Sequence, residues 1–198
     1  MMMALCGRNE GAAMGKIVLV TGGARSGKSS FAEKYAAKYG KRIAYVATSQ
    51  VFDKEMEFRV SLHRQRRPTD WDTYEAPFAA HEAVREAAAG HDMILFDCLT
   101  VYISNLLCSL EDIEDSGRNY ELVKAACEDI VKAVRAGEAI LVAVTNEVGD
   151  GIVPMNHLAR EFRDLSGLAN QLLARQAEEV YLVTDGIPID IKQLEYKL

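Results

Sequence analysis

The chain has 198 residues, 49% of them hydrophobic and 26% charged, and a net charge of −6. This is the composition of a water-soluble globular protein with one sizeable core, and the acidic balance argues against a nucleic-acid partner, which would need a basic face. The cysteines Cys6, Cys98, Cys108 and Cys127 include no C-x-x-C pair, so neither zinc nor thioredoxin-like chemistry is indicated, and a reducing cytoplasmic setting is expected.

Met1 to Gly15 holds no apolar run of signal-peptide length and reads as a disordered extension, or as sequence upstream of a start at Met14. No later stretch is long enough to span a membrane. Residues 16–198 show no linker, repeat or low-complexity segment and are expected to form a single domain. Ile17 to Thr21 predicts a buried strand. Behind it, Gly22-Gly23-Ala24-Arg25-Ser26-Gly27-Lys28-Ser29 matches G-x-x-x-x-G-K-[ST], and Ser29 to Tyr39 predicts a helix. Strand, loop and helix together are the context a phosphate-binding P-loop needs. Its glycines let backbone N–H groups surround phosphate oxygens. Lys28 can reach the β- and γ-phosphates, and the Ser29 hydroxyl can ligate magnesium.

Further buried strands are predicted at Arg42–Thr48, Met93–Asp97, Ala139–Thr145 and Val180–Thr184, each short and aliphatic. Helices are predicted at Lys54–Arg66, stopped by Pro68, at the alanine- and glutamate-rich Ala76–Ala89, and, from apolar residues at helical spacing, at Tyr120–Ala136 and Asn156–Ala177. Gly186 to Lys192 could add a short edge strand, the place where Pro188 is tolerated. The alternation predicts an α/β fold: a mostly parallel sheet flanked by helices, of P-loop NTPase (RecA-like) type, with a short antiparallel edge strand.

Ligands of such sheets bind beyond the carboxyl ends of the strands. Asp97 ends an apolar run in the Walker-B manner and could hold magnesium opposite Ser29; a strand-end turn or helix cap is the plainer use of such a residue. Arg59 to Pro68 packs four arginines and His63 into ten residues. Arginines clamp phosphates, and an imidazole with a pKa of about 6.5 is a competent nucleophile toward phosphorus; a solvated basic helix face would look the same. Glu147, in the loop Thr145-Asn146-Glu147-Val148-Gly149, could be a general base, a water positioner, a substrate anchor or a helix cap. Asp164-Leu165-Ser166-Gly167 formally matches D-x-x-G but falls inside a helical stripe. No N-K-x-D element is present, which argues against a regulatory GTPase.

Several strings together resemble the bifunctional adenosylcobinamide kinase / adenosylcobinamide-phosphate guanylyltransferase family. They are Val20 to Ser29, Ala47-Thr48-Ser49-Gln50, His63 to Pro68, Asp97-Cys98-Leu99-Thr100 with Ser104-Asn105-Leu106-Leu107, Thr145 to Pro154, Phe162-Arg163-Asp164 and Asn170-Gln171. The resemblance runs from about Lys16 to the end of the chain; Met1–Gly15 is not part of the pattern. It implies two reactions of adenosylcobalamin biosynthesis. ATP or GTP phosphorylates the hydroxyl of adenosylcobinamide; GTP then gives GMP to adenosylcobinamide phosphate through a guanylylated histidine. Carried onto this chain, that histidine is His63, with Lys28 the second catalytic residue. The nucleotide contacts fall on Gly22, Gly23, Ala24, Arg25, Ser26, Gly27, Lys28, Ser29, Ala47, Thr48, Ser49, Arg64, Gln65, Arg66, Arg67, Glu75 and Asp97, and the Mg2+ positions on Ser29 and Asp97. A homotrimer is implied as well. The competing expectation is a P-loop small-molecule kinase that lacks the guanylyl step.

Overall fold

The computed structural model describes residues 14–50 and 68–197. In chain order these form β1 (Lys16–Thr21), α1 (Lys28–Tyr39), β2 (Ile43–Ala47), β3 (Asp72–Glu75), α2 (Ala80–Gly90), β4 (Met93–Asp97), α3 (Leu99–Cys108), α4 (Ser116–Arg135), β5 (Ile140–Val144), α5 (His157–Gln176), β6 (Glu179–Thr184) and β7 (Ile187–Asp190). The seven strands make one sheet in the order β3-β2-β4-β5-β1-β6-β7. Every neighbouring pair is parallel except β6 with β7. The expected α/β, P-loop-type architecture is therefore present, antiparallel edge pair included.

Alternation along each central strand divides the core. Ile17, Leu19, Ile94, Phe96, Leu141 and Ala143 face α2, α3, α4 and α5. Val18, Val20, Met93, Leu95, Val142 and Val144 point to the other side, where Ala32 and Ala36 of α1 cover them. Strands buried on both faces must be aliphatic throughout, which is why they stand out in the sequence.

Two elements went unpredicted. β3 is only four residues long and polar, with Asp72, Thr73 and Glu75 exposed on the sheet edge. α3 follows Asp97 after a single residue and buries Thr100 and Asn105 along with its apolar residues, so its apolar period is blurred. The helix expected from Ala76 begins at Ala80 instead. Pro77 keeps its predecessor out of helical geometry, and the Ala76 N–H extends the sheet by donating to Ala47 O at 2.7 Å. α4 begins at Ser116, ahead of the expected Tyr120, because the Asp115 carboxylate caps it by accepting from Arg118 N. The helix expected at Lys54–Arg66 lies outside the described residues. Gly15, counted with the extension, is tied into the fold: its N–H donates to Gly137 O at 2.6 Å, and its carbonyl accepts from Arg135.

Candidate active site at the carboxyl end of the sheet

The P-loop is shaped by backbone geometry. Gly22 is packed so closely that a Cβ would stand 2.3 Å from Val183 O. Gly27, with φ 96°, turns the chain into α1 in the left-handed region, where a side chain is strained. α1 has no side-chain cap at its N-terminus, so its first N–H groups face the loop with the positive end of the helix dipole. A two-residue Asp185-Gly186 turn joins β6 to β7, both residues having positive φ, as the tight hairpin geometry requires. That turn braces the P-loop: Gly186 N donates to Ser26 O at 2.8 Å.

Lys28 is buried, and its ammonium donates to Gly23 O at 3.1 Å. Burial lowers its pKa from the usual lysine value, opposed by the nearby Cys98 and Asp97. Ser26 Oγ is buried within the loop with no hydrogen-bond partner among the described residues.

Sheet register sets the remaining residues in one row. Glu75 pairs with Ala47, Ala47 with Asp97, Asp97 with Val144 and Val144 with Val20. Glu75, Ala47, Asp97 and the base of the P-loop thus share the carboxyl end of the sheet. Four strand spacings, roughly 19 Å, separate β3 from β1. Asp97 is half-buried, and its Oδ2 accepts from Tyr45 Oη at 2.6 Å. The neighbouring Cys98 is buried, and burial pushes its thiol up to about 12; Cys127 is likewise buried.

The loops beside the P-loop are held by side chains that the sequence analysis names without this bracing role. The Thr48 hydroxyl donates to Cys98 O at 2.9 Å and accepts from Cys98 N at 2.8 Å. Asn105 Nδ2 donates to Thr48 O and Pro77 O. A second set closes into a ring. Asn146 N donates to Thr100 Oγ1 (2.7 Å), Thr100 Oγ1 to Thr145 Oγ1 (3.1 Å), Thr145 Oγ1 to Asn170 Oδ1 (2.6 Å), and Asn170 Nδ2 back to Asn146 O (3.1 Å). The hydroxyl directions follow from Thr145 donating to Asn170. Bonds arranged head to tail reinforce one another. Glu147 follows at once: its N–H donates to Gly22 O at 3.1 Å, and its Oε1 accepts from Gly149 N at 2.6 Å. The only hint of the ring in sequence was the recurrence of Thr and Asn just past strand ends.

Beyond Gly149 the loop turns apolar and exposed at Ile152, Val153 and Met155. A cavity of about 310 Å³ lies beside it, lined by Ser104, Leu107, Cys108, Leu158, Ala159 and Phe162 among others. Asp164 and Gly167 sit within α5, away from a D-x-x-G loop context. His63, Arg64, Gln65, Arg66 and Arg67 lie outside the described residues. The chain leaves β2 for that segment through Thr48, Ser49 and Gln50, at the carboxyl end of the sheet.

Serine hydroxyl and aspartate carboxylate, as in Ser29 and Asp97, are the hard oxygen donors that magnesium takes. Among the described residues no three or more His, Cys, Asp or Glu side chains form a metal cage. Two such hard oxygen donors suit a metal whose other ligands are phosphate oxygens. No helix of the described residues is long and apolar enough to cross a membrane.

Over residues 18–191 the chain matches the family described as cobinamide kinase / cobinamide phosphate guanyltransferase. It is 42% identical over 181 residues to the bifunctional adenosylcobalamin biosynthesis protein CobU of Salmonella typhimurium (strain LT2), spanning 89% of this chain and 99% of that protein. Identity to the Escherichia coli (strain K12) protein of the same name is 40% over 181 residues, with the same coverage. Identity to the bifunctional adenosylcobalamin biosynthesis protein CobP of Pseudomonas aeruginosa is 38% over 174 residues, 88% of this chain and 96% of that one. With its P-loop, Asp97 and the Thr145–Gly149 loop gathered at one end of the sheet, the chain belongs to the cobinamide kinase / cobinamide phosphate guanyltransferase family.

Proposed function

We propose that this protein phosphorylates adenosylcobinamide with ATP or GTP and then transfers GMP from GTP to the resulting phosphate, giving adenosylcobinamide-GDP. The observation that carries the reading is the row formed by Glu75, Ala47, Asp97 and the P-loop strand, in a chain of this family.

In this reading the Gly22–Ser29 backbone cradles the phosphates and Lys28 neutralises them. A phosphate beside Lys28 offsets the burial that depresses its pKa. Glu75 stands too far from β1 to meet the phosphates and instead meets the ribose or base, with Ala47, Thr48 and Ser49 between. Mg2+, bound with the nucleotide, would be held by Ser29 and Asp97 and would offset charge on the phosphate oxygens. For guanylyl transfer the His63 imidazole attacks the α-phosphorus, pyrophosphate leaves, and Arg64, Arg66 and Arg67 steady the phosphates, with Gln65 among them. The corrinoid phosphate then displaces His63 and takes the GMP. Two easier displacements replace one hard one. The exposed apolar Ile152, Val153 and Met155 support a large, partly hydrophobic acceptor at this end.

Residues 16–198 acting as one catalytic unit, a cytoplasmic location and assembly as a homotrimer complete the proposal; native mass spectrometry tests the last. The test of function is intact mass after incubation with GTP and magnesium, together with a kinase assay on adenosylcobinamide. A GMP-sized adduct that is lost in His63→Ala is expected. An adduct unchanged in that variant overturns the His63 assignment. Kinase turnover with no adduct leaves a simple P-loop kinase.

A further inference from the structure

The two reactions make different demands on a base. The second acceptor is a phosphate monoester, whose second pKa of about 6 leaves it largely ionised at neutral pH. The first acceptor is an alcohol, which must lose its proton as the O–P bond forms. We propose that Glu147 is the catalytic base of the kinase step; this rests on the kinase reading above.

Its place in the sheet singles it out. β5 lies between the P-loop strand and the Asp97 strand, with Val144 paired to Val20 on one side and Asp97 on the other. The chain leaving β5 therefore rises between phosphate cradle and Walker-B carboxylate. The Glu147 N–H donates to the carbonyl of Gly22, the first P-loop residue. The hydrogen-bonded ring through Thr100, Thr145 and Asn170 grips the residue just before it. Gly149 N holds Oε1, which fixes the direction of the half-buried carboxylate. The other described carboxylates at this end are placed for different work. Asp97 receives Tyr45 and lies near Lys28. Glu75 is on the far edge strand. Asp150 is exposed further along the loop, and Asp185 sits exposed in the β6–β7 turn.

In the step itself, the acceptor hydroxyl oxygen bonds to the γ-phosphorus and its proton passes to Glu147. The bond from that phosphorus to the β,γ-bridging oxygen breaks, and the nucleoside diphosphate leaves with the electron pair. Glu147 returns the proton to solvent. Nothing in guanylyl transfer calls on this carboxylate.

The test assays the full chain in each step separately: adenosylcobinamide with ATP or GTP for the first, preformed adenosylcobinamide phosphate with GTP for the second. In Glu147→Gln the first kcat is expected to fall at least about a hundredfold, and the acid limb of its pH profile to vanish. The second step and GMP labelling of the protein should stay within about threefold, set against the general base's usual hundredfold effect. Gly149→Ala is the companion variant: a methyl there would stand 2.9 Å from Glu147 Oε1, the movable end of a side chain. It should swing the carboxylate aside and slow the kinase step alone, by roughly tenfold. A Glu147→Gln enzyme with unchanged kinase rate, or with both steps falling together, overturns the proposal. If Glu147→Gln does not fold, an unselective or absent effect of Gly149→Ala overturns it. Wild-type protein that never phosphorylates adenosylcobinamide overturns the functional reading itself, and is recognised by that control.

Discussion

The P-loop and the loops beside it solve different problems at the same end of the sheet. The P-loop is a backbone object: close packing at Gly22, a left-handed turn at Gly27, and Lys28 as its one long buried side chain. Ser26 Oγ, buried within the loop, has no hydrogen-bond partner among the described residues. The loops after β2, β4 and β5 are side-chain objects. Thr48, Asn105, Thr100, Thr145 and Asn170 satisfy one another and the local backbone. In the proposed function the first region is completed by phosphate oxygens, while the second is held by its own hydrogen bonds and serves as a mount.

This contrast can be broken at either side. Lys28→Ala should have the largest effect, lowering both transfer rates about a thousandfold with folding intact; separate assays of the two steps check it. Gly22→Ala forces a methyl against Val183 O and should cost about 3 kcal/mol and abolish nucleotide binding, read by urea unfolding and calorimetric titration. Thr145→Val keeps the shape but opens the ring, leaving polar groups unmatched. A loss of about 2 kcal/mol is expected, with nucleotide affinity little changed. If affinity collapses as it does in Gly22→Ala, the two regions are one unit and the contrast fails.

The smallest effect belongs to the opposite end of the sheet. Burial acts to raise the Glu178 carboxyl, but donation from Ile17 N and from Arg135 outweighs it and holds the group below the usual carboxylate range. A carboxylate depressed in the folded state stabilises above its unfolded pKa, about 4.3, and that stability is lost as pH falls through the lower folded value. Glu178→Gln should therefore be less stable by about 1 kcal/mol at pH 7, given its partial exposure. The gap should narrow in acid, as urea midpoints at neutral pH and near pH 3 would reveal, with both activities unchanged.

What could be read from sequence follows the same contrast. The P-loop was legible because phosphate chemistry demands particular residues at fixed spacing, and the central strands because burial on both faces forces aliphatic runs. The Thr100–Thr145–Asn170 ring was not legible as a ring. Threonine and asparagine serve many local purposes, and these three meet only once α3, β5 and α5 are packed. β3 was hidden by its polarity. The start of α2 was misplaced because a local rule, Pro77 holding Ala76 extended, outweighed the alanine-rich pattern after it. Asp97 and Glu75 were named separately; that they lie in one register row is a property of the sheet, which no local pattern expresses.

The strand order also governs when the site comes into being. β1 leads into the P-loop and precedes every other described strand, yet its two neighbours are β5 and β6: Lys16 pairs with Ile140, and Val18 with Glu179. During synthesis β1 has no native neighbour until β5 and β6 have emerged, and such distant pairings are the slow kind. A nucleotide cannot hasten that closure, because what it would bind does not exist before it. It acts afterwards, as a latch: at a hundred times its dissociation constant, a ligand that binds only the closed fold adds about 2.7 kcal/mol to its stability.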